Sequence, residues 1–264
     1  MRHAEPPDLT GTGLTLLERA VEGEFGAWRA VDAEGRRFVV KTSWSEPGRE
    51  AAEQLAAIGY PAPRYVVARP GLCVQEELPG EPIGGWSVLD DSISRQLLEL
   101  NEQLAGRRVA DSPPWPDRLL DDMRGYNGWI DPGDLERHSA DGAELLRRCR
   151  AAVGRSELRD TGDLVHWDYT TSNILVREGR VTGVVDWDGA LNGDRVFDVA
   201  TLFYYTRTPL LRDYALDQRD ERVLAAYLAH MIVRQTGWSI RYHEPDAGAQ
   251  LLRDGLELSA TFPA

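Results

Sequence analysis

Residues 166–173 read His166-Trp167-Asp168-Tyr169-Thr170-Thr171-Ser172-Asn173, an H-x-D-x-x-x-x-N string set directly before the apolar run Ile174-Leu175-Val176. A second apolar run, Val184-Val185, ends on Asp186 and continues Trp187-Asp188-Gly189. Moving a phosphoryl group onto a hydroxyl needs a carboxylate beside the attacking oxygen, to orient it and accept its proton. It also needs oxygen ligands for Mg²⁺. Asp168 suits the first task and Asn173 the second, and one loop presents both. Asp186, closing an apolar strand, suits bridging the metal to phosphate oxygens. A D-x-D-G string alone also makes ordinary turns. An H-x-D-x-x-x-x-N followed by strand, turn, strand and aspartate is much more specific.

Lys41 is the other residue with a chemical signature. The chain has 30 basic residues, and Lys41 is the one lysine among arginines. Such skew suggests that arginine stands wherever either cation serves. A retained lysine then marks a place for a compact point charge rather than a planar fork.

These residues need elements to position them. AWRAVDAEGRRFVVKTS (27–43) reads as a β-hairpin around Asp32-Ala33-Glu34-Gly35, with Lys41 ending its second strand. PGREAAEQLAAIG (47–59) reads as a helix with Pro47 at its start and Gly59 at its C-cap. RYVVAR and LCVQEE follow as strands joined by Pro70-Gly71, and LPGEPIGG as a connector. Ile93, Leu97, Leu100 and Leu104 keep a helical period. Residues 105–135, rich in Pro, Asp, Trp and Gly, show no clear period. Residues 141–153 read as helix, 163–188 as β-rich, and the remainder as helical, most clearly 219–235. The fold class is therefore α+β rather than alternating βαβ. The expected organisation is a nucleotide-binding lobe over 1–78, made of strands and one helix, and a larger, mainly helical catalytic and acceptor-binding lobe over 79–264.

The segments HWDYTTSNILV, VTGVVDWDGALNGDRVFDVA and RFVVKT resemble the aminoglycoside phosphotransferases, a branch of the protein-kinase-like superfamily. The resemblance spans roughly residues 20–235. It implies a two-lobed protein-kinase-like fold and an Mg²⁺-dependent kinase using ATP or GTP. It further implies that Lys41 holds the α- and β-phosphates with Glu50 as its ion-pair partner and Glu53 in reserve. Asp168 would be the catalytic base, and Asn173 and Asp186 the Mg²⁺ ligands. Gln75-Glu76-Glu77-Leu78 would be the hinge, meeting the purine through backbone groups of Glu76 and Leu78. Asp198 would hold the catalytic loop. Three departures stand out. Trp167 replaces the usual glycine between His and Asp and would sit near the acceptor. Residues 22–27 lack a G-x-G-x-x-G string, and position 187 is Trp rather than Phe. Only a short segment separates Asp186 from Asp198 and no A-P-E follows, so a protein substrate is not expected.

Composition bounds the partners. Apolar residues at 42% and charged residues at 28% are ordinary for a soluble globular chain. A net charge of -13 opposes nucleic-acid binding and is compatible with a cationic substrate, although solubility alone accounts for most such carboxylates. No apolar run is long enough to span a membrane, and MRHAEPPDLT lacks a signal-peptide core, so the expected location is cytoplasmic. Cys73 and Cys149 read as reduced thiols, and no histidine pair has zinc spacing. The expected acceptor is a cationic, hydroxylated antibiotic, either an aminoglycoside or a cationic cyclic peptide, giving resistance. Asp188 leads the acceptor-site candidates, with Trp167 and Asp122. Asp121, Asp131, Asp134, Trp115, Tyr126 and Trp129 are further carboxylates and rings of the kind that bind amines. The alternatives are a metabolite kinase of the choline or homoserine type, or a non-catalytic kinase-fold binding module. The protein is expected to be a monomer or dimer.

Overall fold

The computed structural model describes residues 6–21, 26–84, 88–125, 131–154 and 156–263. The chain forms two compact units. The first comprises Met1–Gly84, Val109–Asp111 and Thr171–Ala190; the second comprises Gly85–Arg108, Ser112–Thr170 and Leu191–Ala264.

The first unit is built on an antiparallel sheet of β1 (Thr15–Val21), β2 (Ala27–Val31), β3 (Arg37–Lys41), β4 (Tyr65–Arg69) and β5 (Leu72–Glu76), in the order β1-β2-β3-β5-β4. The predicted hairpin is β2–β3. Its turn is closed by the Asp32 amide donating to Arg36 O, and Gly35 supplies the left-handed residue at φ 82°. Ala30, Phe38, Val40, Leu72 and Val74 form the core of this sheet. Helix α1 (Glu46–Ala56) turns Gly48, Ala51, Ala52 and Leu55 inward, an i, i+3, i+4, i+7 stripe. Ser45 caps it by accepting the Gly48 amide. A side chain at Gly48 would meet the Trp187 carbonyl carbon at 2.8 Å, so glycine lets the helix start lie against the Asp186–Asp188 turn.

This unit also takes back a later segment. The short strand β6 (Glu81–Pro82) pairs with β8 (Ile174–Arg177), and β8 pairs with β9 (Arg180–Val184). The Val184 amide donates to Pro61 O. The sequence division after residue 78 had left this strand pair with the helical part. Its backbone bonding ties it to the N-terminal sheet's unit.

The second unit holds α2 (Asp91–Glu102), α3 (Trp115–Arg124), α4 (Gly133–His138), α5 (Ala140–Gly154), β7 (Asp163–Val165), β10 (Leu191–Gly193), α6 (Val196–Thr206), α7 (Pro209–Gln218), α8 (Glu221–Tyr242) and α9 (Pro245–Ser259). Helix α8 is buried over much of its circumference and packs against α4, α5, α6 and α9. Its N-cap Asp220 accepts the Arg222 and Val223 amides. Helices α3 and α4 lie where the sequence shows no period. Trp115, Leu119, Asp122 and Met123 are the buried face of α3, and a buried aspartate stands where an apolar residue would complete the stripe.

Cys73 and Cys149 are free and buried, and burial pushes both thiols up to about 12. Among the described residues no helix is long and apolar enough to cross a membrane.

Candidate active site

In the first unit, Lys41 leaves the end of β3 and donates to Asp186 Oδ1 at 2.5 Å and Asp188 Oδ2 at 3.2 Å. Its side chain is only 15% exposed, so the ammonium is largely withdrawn from water. Burial alone would lower its pKa, but the carboxylates of Asp186 and Asp188 outweigh that and raise it. Lys41 is therefore a fixed cation at the foot of the strand. Asp188 is raised, first by burial and against the pull of Lys41. Its Oδ1 is buried without a hydrogen-bond partner, and its carbonyl accepts Ser45 Oγ at 2.7 Å. Asp188 thus faces Lys41, beside Asp186.

Asn173 ends the 3₁₀ turn Thr171–Asn173, and its carbonyl accepts the Val185 amide at 2.9 Å. That bond fastens Asn173 to the residue before Asp186. Asp186 sits at φ 66°, a left-handed conformation that aspartate tolerates better than most residues.

Glu50 does not pair with Lys41. Its carboxylate accepts the Ala110 amide at 2.8 Å and Gln54 Nε2 at 3.1 Å. Glu53 is bonded to Arg49. The reason is local: two nearer carboxylates neutralise the ammonium, and Glu50 satisfies a loop amide. At the expected hinge, the Glu76 amide donates to Arg64 O, so that N–H is already engaged. The Leu78 amide has no hydrogen-bond partner among the described residues. The Leu78 side chain lies over Gly183, together with Leu175. Residues 22–25 of the expected phosphate-covering loop lie outside the described residues.

In the second unit, Asp168 is about one-third exposed, and its Oδ1 accepts Arg234 Nη2 at 2.9 Å. Asp198 is fully buried and accepts the His166 amide at 2.8 Å and the Trp167 amide at 3.0 Å, one on each oxygen. Burial pushes Asp198 up to about 8, against the pull of those two amides.

Trp167 explains why glycine is usual at its position: the backbone is left-handed, at φ 75°. Its ring is buried rather than offered to an acceptor. It stacks on Phe197 at 5.0 Å and packs against Trp115 and His230. Trp167→Gly would relieve roughly 1–2 kcal/mol of backbone strain. It would also remove a core ring worth about 3–5 kcal/mol. Packing wins, so the variant should lose about 1–4 kcal/mol by urea denaturation. An unchanged urea midpoint would show that the ring contributes no more than the backbone strain at its position costs.

Asp122 is also buried, bonded to His230 Nε2 at 2.9 Å. Burial lowers His230 in spite of that partner. The other expected acceptor carboxylates are engaged too. Asp131 and Asp134 pair with Arg137 and Arg241, and Asp121 lies 3.8 Å from Arg124. Trp115 is fully buried, and Tyr126 and Trp129 lie outside the described residues. Sequence reasoning missed Arg234, for which spacing carries no signal. It also missed Ser45, which the Ser-x-Pro start of α1 could have revealed as a cap.

The sequence profile of the phosphotransferase enzyme family (APH) matches residues 19–231. A hygromycin-B 4-O-kinase of Escherichia coli is 43% identical over 42 residues, which span 16% of this chain and 12% of that kinase. A thermostable variant of aminoglycoside phosphotransferase APH(4)-Ia, in ternary complex with AMP-PNP and hygromycin B, superposes with a TM-score of 0.67 at 21% identity, covering 95% of each chain. The choline kinase LicA of Streptococcus pneumoniae gives 0.65 at 14% identity, covering 94% of each chain. Amicoumacin kinase hAmiN, in complex with AMP-PNP, Ca²⁺ and Ami, gives 0.64 at 16% identity, covering 96% of this chain and 90% of that one. At these identities the superpositions establish the kinase-like fold.

Proposed function

The chain belongs to the phosphotransferase enzyme family, and from that premise we propose that it transfers the γ-phosphoryl group of ATP or GTP to a hydroxyl of a small cationic antibiotic. The observation that carries this reading is the buried Lys41 ammonium held by Asp186 and Asp188 at the end of β9. A withdrawn cation set among hard oxygen donors is a phosphate-and-metal site in kinase chemistry.

The donor set fits Mg²⁺. Asp186 and Asn173 lie on segments joined by a backbone bond, and the Asp188 Oδ1 is a buried oxygen without a partner. Among the described residues no three His, Cys, Asp or Glu could hold a metal by themselves. That suits an ion bound through one or two carboxylates plus substrate phosphates. Asn173 and Asp186 would hold it. When bound, Mg²⁺ neutralises phosphate charge. Lys41 would hold the α- and β-phosphates, and Leu78, through its amide, the purine. Asp168 would orient the acceptor hydroxyl and take its proton. Asp198 keeps the loop that carries Asp168 in shape.

Two things support a cationic acceptor: the net charge of -13, and the hygromycin B bound by a structural neighbour. The paired state of Asp121, Asp122, Asp131 and Asp134 gives weight to a second reading, a metabolite kinase of the choline type, since those carboxylates already have partners. The test is mass spectrometry of a panel of aminoglycosides, cationic cyclic peptides, choline and homoserine, incubated with the protein, Mg²⁺ and ATP or GTP. A gain of one phosphate on an antibiotic supports the proposal. A gain on choline or homoserine alone replaces it with the metabolite reading. No gain, together with no nucleotide binding, would leave a non-catalytic binding module.

A further inference from the structure

The loop carrying Asp168 is gripped from two sides. Asp198 takes the amides of His166 and Trp167. Arg234, on α8, donates through Nη1 to the Trp167 carbonyl at 3.0 Å and through Nη2 to Asp168 Oδ1 at 2.9 Å. One planar guanidinium therefore holds the backbone of one residue and the carboxylate of the next. Its carbon also lies 5.8 Å from the centre of the Trp167 ring. The Arg234 side chain is 20% exposed, so this fork works in partly desolvated surroundings, where charge-assisted bonds are stronger than in water.

A carboxylate on a loop turns about two side-chain torsions, and each turn moves its oxygens away from an acceptor hydroxyl. Fixing one oxygen and the preceding carbonyl with a single rigid group removes that freedom. We infer that Arg234 is the positioning residue of the site, setting the orientation of the Asp168 carboxylate through its two-point grip. The inference rests on the reading of Asp168 as the carboxylate that meets the acceptor.

If orientation of the Asp168 carboxylate limits turnover, removing Arg234 slows the reaction, as expected for a phosphoryl transfer in which positioning carries much of the catalysis. Lysine separates geometry from charge. It keeps the charge, but its single nitrogen lacks the planar two-point fork.

The experiment measures Mg²⁺-dependent hydrolysis of ATP and GTP by the full-length protein, with water in place of the acceptor. It compares wild type, Arg234→Met, Arg234→Lys and Arg118→Met. Arg118 lies over the same Trp167 ring at 5.1 Å without touching Asp168, so it controls for ring packing. Both Arg234 variants should lose roughly 10- to 100-fold in kcat with the nucleotide KM unchanged. Arg118→Met should stay near wild type. Wild-type kcat in Arg234→Met, or in Arg234→Lys should the methionine variant not fold, overturns the positioning role alone. Equal losses in Arg118→Met and Arg234→Met also overturn it, in favour of general packing. A wild-type protein that neither hydrolyses nor transfers overturns the reading of Asp168, and this inference with it.

Discussion

Asp168→Asn is expected to lower turnover by about 10²–10⁴-fold while leaving nucleotide binding intact. The substitution isolates charge and basicity from shape. An asparagine oxygen can still accept from Arg234, which now reaches Asp168 Oδ1 at 2.9 Å. The Trp167 carbonyl and both amides held by Asp198 are untouched, so the loop should keep its conformation. What disappears is the group able to take the hydroxyl proton. Nucleotide affinity should hold because Lys41, Asp186 and Asp188 form their contacts within the other unit. Single-turnover transfer, measured beside a nucleotide titration, checks both halves. Full transfer by the variant would remove Asp168 from the chemistry. Joint loss of transfer and binding would point to a folding defect instead.

Asp186→Ala should abolish the Mg²⁺-dependent stabilisation by nucleotide. For wild type, a nucleotide at 100 times its dissociation constant adds about 2.7 kcal/mol of stability. In the variant the thermal shift should fall to the small value seen with nucleotide and no metal. The protein without nucleotide should remain folded, because Asp188 still faces the Lys41 ammonium at 3.2 Å and the cation is not left alone. Asp186 is also the more exposed of the two carboxylates, at 45% against 29%, as befits a group that meets a ligand. An undiminished shift would mean that the metal is held elsewhere, with Asp188 the first residue to examine.

The family's motifs were legible because they are local. In H-x-D-x-x-x-x-N, loop geometry ties residue type to spacing, so the string can be read without neighbours. The same holds for the β2–β3 hairpin, where a glycine turn sets the register of Lys41, and for the stripe of α1. Family membership follows from these segments and is shown by the match over residues 19–231.

Partnership was not legible, because it depends on which side chains meet across long stretches of chain. Glu50 has the spacing of a lysine partner, yet it caps the Ala110 amide, while Lys41 finds Asp186 across 145 positions. Asp122 reads in the sequence as an acceptor-site carboxylate, but folding buries it against His230. Trp167 looks like an acceptor ring, but it is packed on Phe197. Arg234 gave no sign at all, being one arginine among many until α8 brings it to Asp168. By itself the sequence determined the chemistry on offer, since residue type and short-range spacing limit what a loop can do. Only the tertiary structure decided which charges are already neutralised and which arginine grips the loop of Asp168, because burial and distance exist only once the chain has folded.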